Sequence, residues 1–80
     1  MITVYALKNQ VNSEIYVGIT NSLERRLIEH NSGRHRYTKA FKPWTVFYTE
    51  EHPDYSSARK REKYLKAASG KRFLKKVPKL

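Results

Sequence analysis

Five side chains have the types and spacing to do chemistry together: Tyr5, Tyr16, Arg26, His30 and Glu62. Arg26 keeps its proton, so it stabilises charge and cannot act as a base. A tyrosine with its ordinary pKa near 10 is a poor base at neutral pH unless a cation stabilises its phenolate. An arginine or a metal ion beside Tyr5 and Tyr16 would supply that. With six tyrosines in 80 residues, strand packing remains the default role for any one of them. His30 reads either as a group that shares a proton or binds phosphate, or as a histidine placed favourably near a helix C-terminus. Glu62 is an acid inside the basic run Arg61-Glu62-Lys63-Tyr64-Leu65-Lys66. Two roles account for it. One is a salt bridge to Arg61, Arg26 or another neighbour. The other is a metal ligand, because a hard Mg²⁺ accepts one protein carboxylate and keeps several waters.

The elements that must hold these groups follow from local pattern. Ile15, Val17 and Ile19 alternate with Tyr16 and Gly18, the period of a strand with two unlike faces. Asn21 or Ser22 then caps a helix over Ser22 to Asn31, and Glu24 stands three residues after Asn21 as in a capping box. At about 100° per residue, Leu23, Arg26, Leu27 and His30 share one sector, while Arg25 points the opposite way. Upstream, Ile2 to Leu7 reads as a strand. A hairpin with Leu7 opposite Glu14 would set Tyr5 opposite Tyr16 and Thr3 opposite Gly18. Both tyrosines would then share a face, and Gly18 would leave a gap for a substrate backbone. Arg34 to Pro43 is a basic loop. Trp44 to Thr49 is a third strand, followed by an acidic turn over Glu50 to Tyr55. A second helix runs from Ser56 or Ser57 to about Ala68, with Gly70 ending it, and Lys71 to Lys76 forms a short terminal helix. On the second helix Ala58, Glu62 and Leu65 fall on one face. The β-β-α-β-α order predicts a small α+β domain occupying residues 1–80.

The charge is unevenly placed. Of a net +10, residues 1–58 hold seven Lys/Arg against six acids, whereas residues 59–80 hold ten Lys/Arg against one acid, Glu62. Such a basic segment with interleaved aromatics points to a polyanion, with nucleic acid favoured over an anionic membrane surface. There is no cysteine, so no disulfide or thiolate zinc site is available. No apolar run reaches the roughly 18 residues of a membrane span, and a soluble, cytoplasmic protein is expected.

The segment from Ile15 to Asn31 resembles the second half of the GIY-YIG nuclease signature. Its YIG element is Tyr16-Val17-Gly18, with Arg26 ten residues after Tyr16 and His30 four further on. The GIY element is Thr3-Val4-Tyr5, eleven residues upstream. The resemblance runs from about Ile2 to Phe73. It implies a three-stranded antiparallel sheet flanked by helices, and a metal-dependent endonuclease with low sequence specificity. Glu62 matches the metal-anchoring glutamate, for one Mg²⁺ or Mn²⁺ ion. Tyr5 would help activate water, Tyr16 would position the water or the scissile phosphate, and Arg26 would contact the phosphate oxygens. Thr38 and Lys39 resemble the substrate-side segment. Lys63, Lys66, Lys75 and Lys76 are the further nucleic-acid contacts expected, with DNA favoured over RNA and a protein partner or homodimer available to add specificity. Three departures mark the chain: Thr3 and Val4 replace Gly and Ile of the first motif, Ile19 stands where some members have a lysine, and no Asn follows Glu62. They suggest the small single-domain type. The rival reading is a non-catalytic nucleic-acid-binding domain that keeps the fold.

Overall fold

A computed structural model describes residues 1–9, 14–32 and 43–77. Its elements are β1 (Ile2–Asn9), β2 (Ile15–Thr20), α1 (Leu23–Ser32), β3 (Trp44–His52), α2 (Tyr55–Lys66) and α3 (Ala68–Lys76). The three strands form one antiparallel sheet in the order β2-β1-β3. This is the α+β architecture expected, and the terminal helix expected over Lys71 to Lys76 begins three residues earlier, at Ala68. Among the described residues, no helix is long and apolar enough to cross a membrane.

The alternation in β1 builds two cores. Ile2, Val4 and Ala6 join Val17 and Phe47 beneath Ala58 and Leu65 of α2 and Leu74 of α3. Tyr5, Leu7 and Trp44 pack with Tyr16, Leu23, Leu27 and Val46 beneath α1. Each helix covers one face of the sheet because each presents an apolar stripe.

Register departs from the expected hairpin by two residues. Tyr5 pairs with Gly18, Leu7 with Tyr16 and Thr3 with Thr20. A slip of two preserves the faces, so Tyr5 and Tyr16 still lie on the same side. The gap expected over Gly18 is filled by Tyr5 itself. A Cβ on Gly18 would stand 2.5 Å from the Tyr5 hydroxyl oxygen and 2.7 Å from its Cζ. Glycine here seats a ring and leaves no space for substrate.

The second half also differs from expectation. Glu50, Glu51 and His52 continue β3 where an acidic turn was expected. A register shift between Ala6 and Leu7 places a bulge in β3, so that Val46 pairs with Leu7 but Tyr48 pairs with Ala6. The extra residue reverses the alternation. Trp44 and Val46 face α1, whereas Tyr48 packs against the α2 side. Glu50, two residues on, reaches α2 and accepts from Arg61 Nε at 3.0 Å. Burial pushes the Glu50 carboxyl up, but hydrogen bonds from Tyr48, His52 and Arg61 outweigh it and hold the group below its ordinary range. Helix α2 begins at Tyr55, slightly earlier than expected, because the Asp54 side chain accepts the Ser57 N–H at 2.8 Å. It ends at Lys66, with Ala67 extended, and Gly70 lies inside α3 and does not close α2. A Cβ on Gly70 would lie 2.1 Å from the Tyr64 carbonyl oxygen, so glycine is required by close packing of α3 on α2.

Candidate active site

Four elements carry the five side chains. Tyr5 comes from β1, Tyr16 from β2, Arg26 and His30 from α1 and Glu62 from α2. Helix α1 is launched tightly after β2: the Thr20 hydroxyl accepts the Ser22 N–H at 3.0 Å and donates to the Ser22 carbonyl at 3.2 Å. Its far end is tied to β3 by Asn31. That amide accepts the Trp44 N–H at 2.6 Å and donates to the Trp44 carbonyl at 3.1 Å. Nothing in the sequence pattern singles out Asn31, yet it fixes the helical turn that carries His30.

His30 is fully buried and Tyr5 is 1% exposed. The Tyr5 hydroxyl and His30 Nε2 are 3.0 Å apart. The Tyr16 ring meets the His30 ring edge-on at 4.7 Å between centroids, and lies 6.3 Å from the Tyr5 ring. Burial pushes the Tyr5 hydroxyl up to about 12, against a hydrogen bond from Arg26 that pulls it down; the charge on Glu62 adds to the rise. Tyr5 is therefore a neutral phenol at pH 7. Arg26 in turn is held above its ordinary value, chiefly by its hydrogen bond to Tyr5. Its Nη1 donates to Glu29 Oε1 at 3.0 Å, and its side chain is 35% exposed. Arg25 is exposed and donates to Asn21 Oδ1 at 3.2 Å. The site thus has two layers. Tyr5 and His30 lie behind; Tyr16, Arg26 and Glu62 reach solvent.

The Glu62 side chain is 17% exposed and pairs with Lys66 Nζ at 3.1 Å, one turn along α2. Lys66, expected among the nucleic-acid contacts, is thus also the ion-pair partner of Glu62. Lys63, Lys75 and Lys76 are exposed on α2 and α3. Thr38 and Lys39 lie outside the described residues.

The family model described as the GIY-YIG catalytic domain matches residues 1–76. The chain belongs to the GIY-YIG family. Members of the GIY-YIG family are generally endonucleases, and they typically use divalent metals. A UPF0213 protein of Staphylococcus haemolyticus is 36% identical over 75 residues, which cover 92% of this chain and 90% of that protein. One from Bacillus cereus is 42% identical over 57 residues, covering 70% of this chain and 59% of that protein. The solution NMR structure of the UPF0213 protein of Bacillus halodurans matches with a TM-score of 0.56 and 28% identity, over 92% of this chain and 82% of that one.

The donor set for a GIY-YIG metal can be weighed from the side chains. Among the described residues, no group of three His, Cys, Asp or Glu side chains forms a cage. Glu62 offers one partly exposed carboxylate. A single carboxylate fits a hard ion such as Mg²⁺, which takes few protein ligands and fills its remaining positions with water and phosphate oxygens. It does not fit zinc, which asks for several nitrogen or sulfur ligands.

Proposed function

We propose that the chain is a metal-dependent endonuclease that hydrolyses phosphodiester bonds in DNA with little sequence preference. The cluster of Tyr5, Tyr16, Arg26 and His30 from three elements, with the Glu62 charge on a fourth near enough to act on Tyr5, is the observation that carries this reading. Water attacks phosphorus in line with the leaving oxygen. The difficulty is the base, because a tyrosine held near 12 does not ionise at pH 7. His30 supplies the answer. With its Nε2 unprotonated, it accepts the Tyr5 proton while the Tyr5 oxygen takes a proton from the attacking water. Tyr5 then passes a proton without becoming a free phenolate. Tyr16 stands at the open side of this pair and orients the water or the phosphate. Arg26 donates to the non-bridging oxygens, where negative charge grows. A divalent ion held by Glu62 would stabilise the charge building on the phosphate and the leaving oxygen.

The rival, a nucleic-acid-binding domain without catalysis, draws on one observation: Lys66 already neutralises Glu62. A helical i,i+4 pair contributes only about 0.3–0.5 kcal/mol, and its Lys66 end is half exposed, so a divalent ion can take its place. Glu62→Gln separates the two readings when cleavage with Mg²⁺ or Mn²⁺, DNA binding and melting temperature are measured on the same sample. The nuclease reading expects a folded variant that binds DNA and does not cut. A folded variant that cuts at the wild-type rate would remove Glu62 from the site. A wild-type protein that binds DNA and never cuts it would favour the rival.

A further inference from the structure

Helix α3 carries four cations and no acid: Lys71, Arg72, Lys75 and Lys76. They do not face one way. Gly70 and Leu74 are buried against the rest of the fold. At about 100° per residue, Lys71 and Lys75 lie on one flank of that buried stripe, Arg72 and Lys76 point away from it, and Phe73 lies on the other flank. Ring contacts agree, for Phe73 meets Tyr48 of β3 edge-on at 5.6 Å. The Lys71–Lys75 flank faces the opposite side of the sheet, where β2 is the outer strand.

Two adjoining troughs run along that outer strand. One is lined by Glu14, Ile15, Lys71 and Lys75. The next is lined by Ile15, Tyr16, Val17, Lys66 and Lys71. Lys71 and Ile15 belong to both, so the troughs are continuous. Beyond them Lys66 reaches Glu62 at 3.1 Å. Lys75, Lys71 and Lys66 therefore form a file of cations beside β2. The file ends at Tyr16 and Glu62, and it meets one further acid, Glu14, at its far end. Lys71 and Lys75 are one turn apart, about 6 Å along the helix axis. Such a file suits a chain of regularly spaced anions and has no use for an isolated one.

We infer that this trough holds one sugar-phosphate strand and leads it to the candidate site. Lys71, which the sequence pattern did not single out, is the central contact, and Lys76 is not part of the track. The inference rests on the nucleic-acid reading proposed above and adds the route and its residues. The strand is either unpaired nucleic acid or one strand of a duplex; both offer the same phosphates.

The test compares two double substitutions that remove equal charge from the same helix: Lys71→Ala with Lys75→Ala, and Arg72→Ala with Lys76→Ala. Binding of a labelled single-stranded DNA and of the matching duplex is titrated by anisotropy in EDTA, so that no cleavage intervenes. Alanine favours helix, and circular dichroism checks that α3 persists. Each phosphate contact contributes about 0.7 to the salt slope for a single strand and about 0.9 for a duplex. Losing two contacts should flatten the slope by about 1.4 or 1.8, so the affinity lost on raising salt fourfold shrinks by roughly 7-fold or 12-fold. The Lys71/Lys75 variant should show this and the Arg72/Lys76 variant less than half of it. The probe on which the difference appears identifies the source of the strand. Equal changes in both variants, or a larger one in the Arg72/Lys76 variant, overturn the track while leaving the nuclease reading intact. A wild-type protein that binds neither probe overturns both.

Discussion

Gly18→Ala tests how Tyr5 is seated. The added methyl would lie 2.5 Å from the Tyr5 hydroxyl oxygen, 2.7 Å from Cζ and 3.1 Å from Cε1. These are the hydroxyl and two ring carbons of a residue that is 1% exposed, so the clash is not relieved by swinging a flexible tip into solvent. The ring must move, and its 3.0 Å contact with His30 Nε2 is then lost. Overpacking a core costs about 1–3 kcal/mol. Leaving a buried hydrogen-bonding group unsatisfied costs about 1–3 kcal/mol more. The expected loss, about 2–6 kcal/mol, is comparable to the roughly 3–5 kcal/mol that so small a core supplies. Even the lower end should reduce Tm by about 8–16 °C. Thermal melting by circular dichroism reads the stability, and cleavage at a temperature well below Tm reads the site. Tyr5→Phe removes the nearest clashing atom, so the Tyr5→Phe/Gly18→Ala double variant should melt above the sum of the two single effects. Wild-type melting of Gly18→Ala would refute the seating of Tyr5 over Gly18. Strict additivity in the double variant would refute it too.

The raised Tyr5 pKa makes a stability prediction with a definite sign. The folded state keeps this proton to about 12 while the unfolded chain releases it near 10, so stability is unaffected below pH 10 and falls between pH 10 and 12, by up to about 2.7 kcal/mol. Subtracting the pH–stability curve of Tyr5→Phe from that of the wild type isolates this term; parallel curves would contradict it. Arg26→Ala should lower the cleavage rate about 10²–10³-fold, whereas Arg25→Ala, an equal change of charge on the exposed face, should leave it near wild type; equal rates would show that the phase of α1 has no bearing on the chemistry. Asn31→Ala strips the Trp44 peptide of two partners and should cost about 1–3 kcal/mol or more, with a shift in tryptophan emission. Unchanged melting and emission would show that the Asn31 tie carries little.

The local parts of this fold were legible in the sequence, and the parts that depend on distant contacts were not. Alternation fixed which faces Tyr5 and Tyr16 occupy, because parity survives a two-residue slip. It could not fix the register, which differs from the expected one by that amount. The bulge in β3 has no glycine to mark it, so nothing local revealed that Glu50 would turn toward Arg61. Ala67, Ala68 and Ser69 read as continuing helix; the break between α2 and α3 exists because α3 must fold back onto Leu65 and Tyr64. Gly70 looks like a stop for the same reason: a local pattern does not distinguish a glycine that ends a helix from one pressed against a neighbour. At the site, Arg26 and His30 followed from helical phase. The depth of His30 and the choice of Lys66 as partner for Glu62 depended on packing and rotamers that spacing leaves open.

The contact at Gly70 has a mechanical consequence. Where helices meet through side chains, they can slide by exchanging rotamers. Here the backbone of α3 presses on the Tyr64 carbonyl and the Leu65 Cα with no side chain between them to act as a bearing. The corner from Tyr64 to Leu74 behaves as a bracket: α2 and α3 turn together or not at all. Any load taken up by α3 therefore passes to the helix that carries Glu62 without slack. A larger residue at position 70 would open the bracket and let the two arms move separately, even with every charged group still in place.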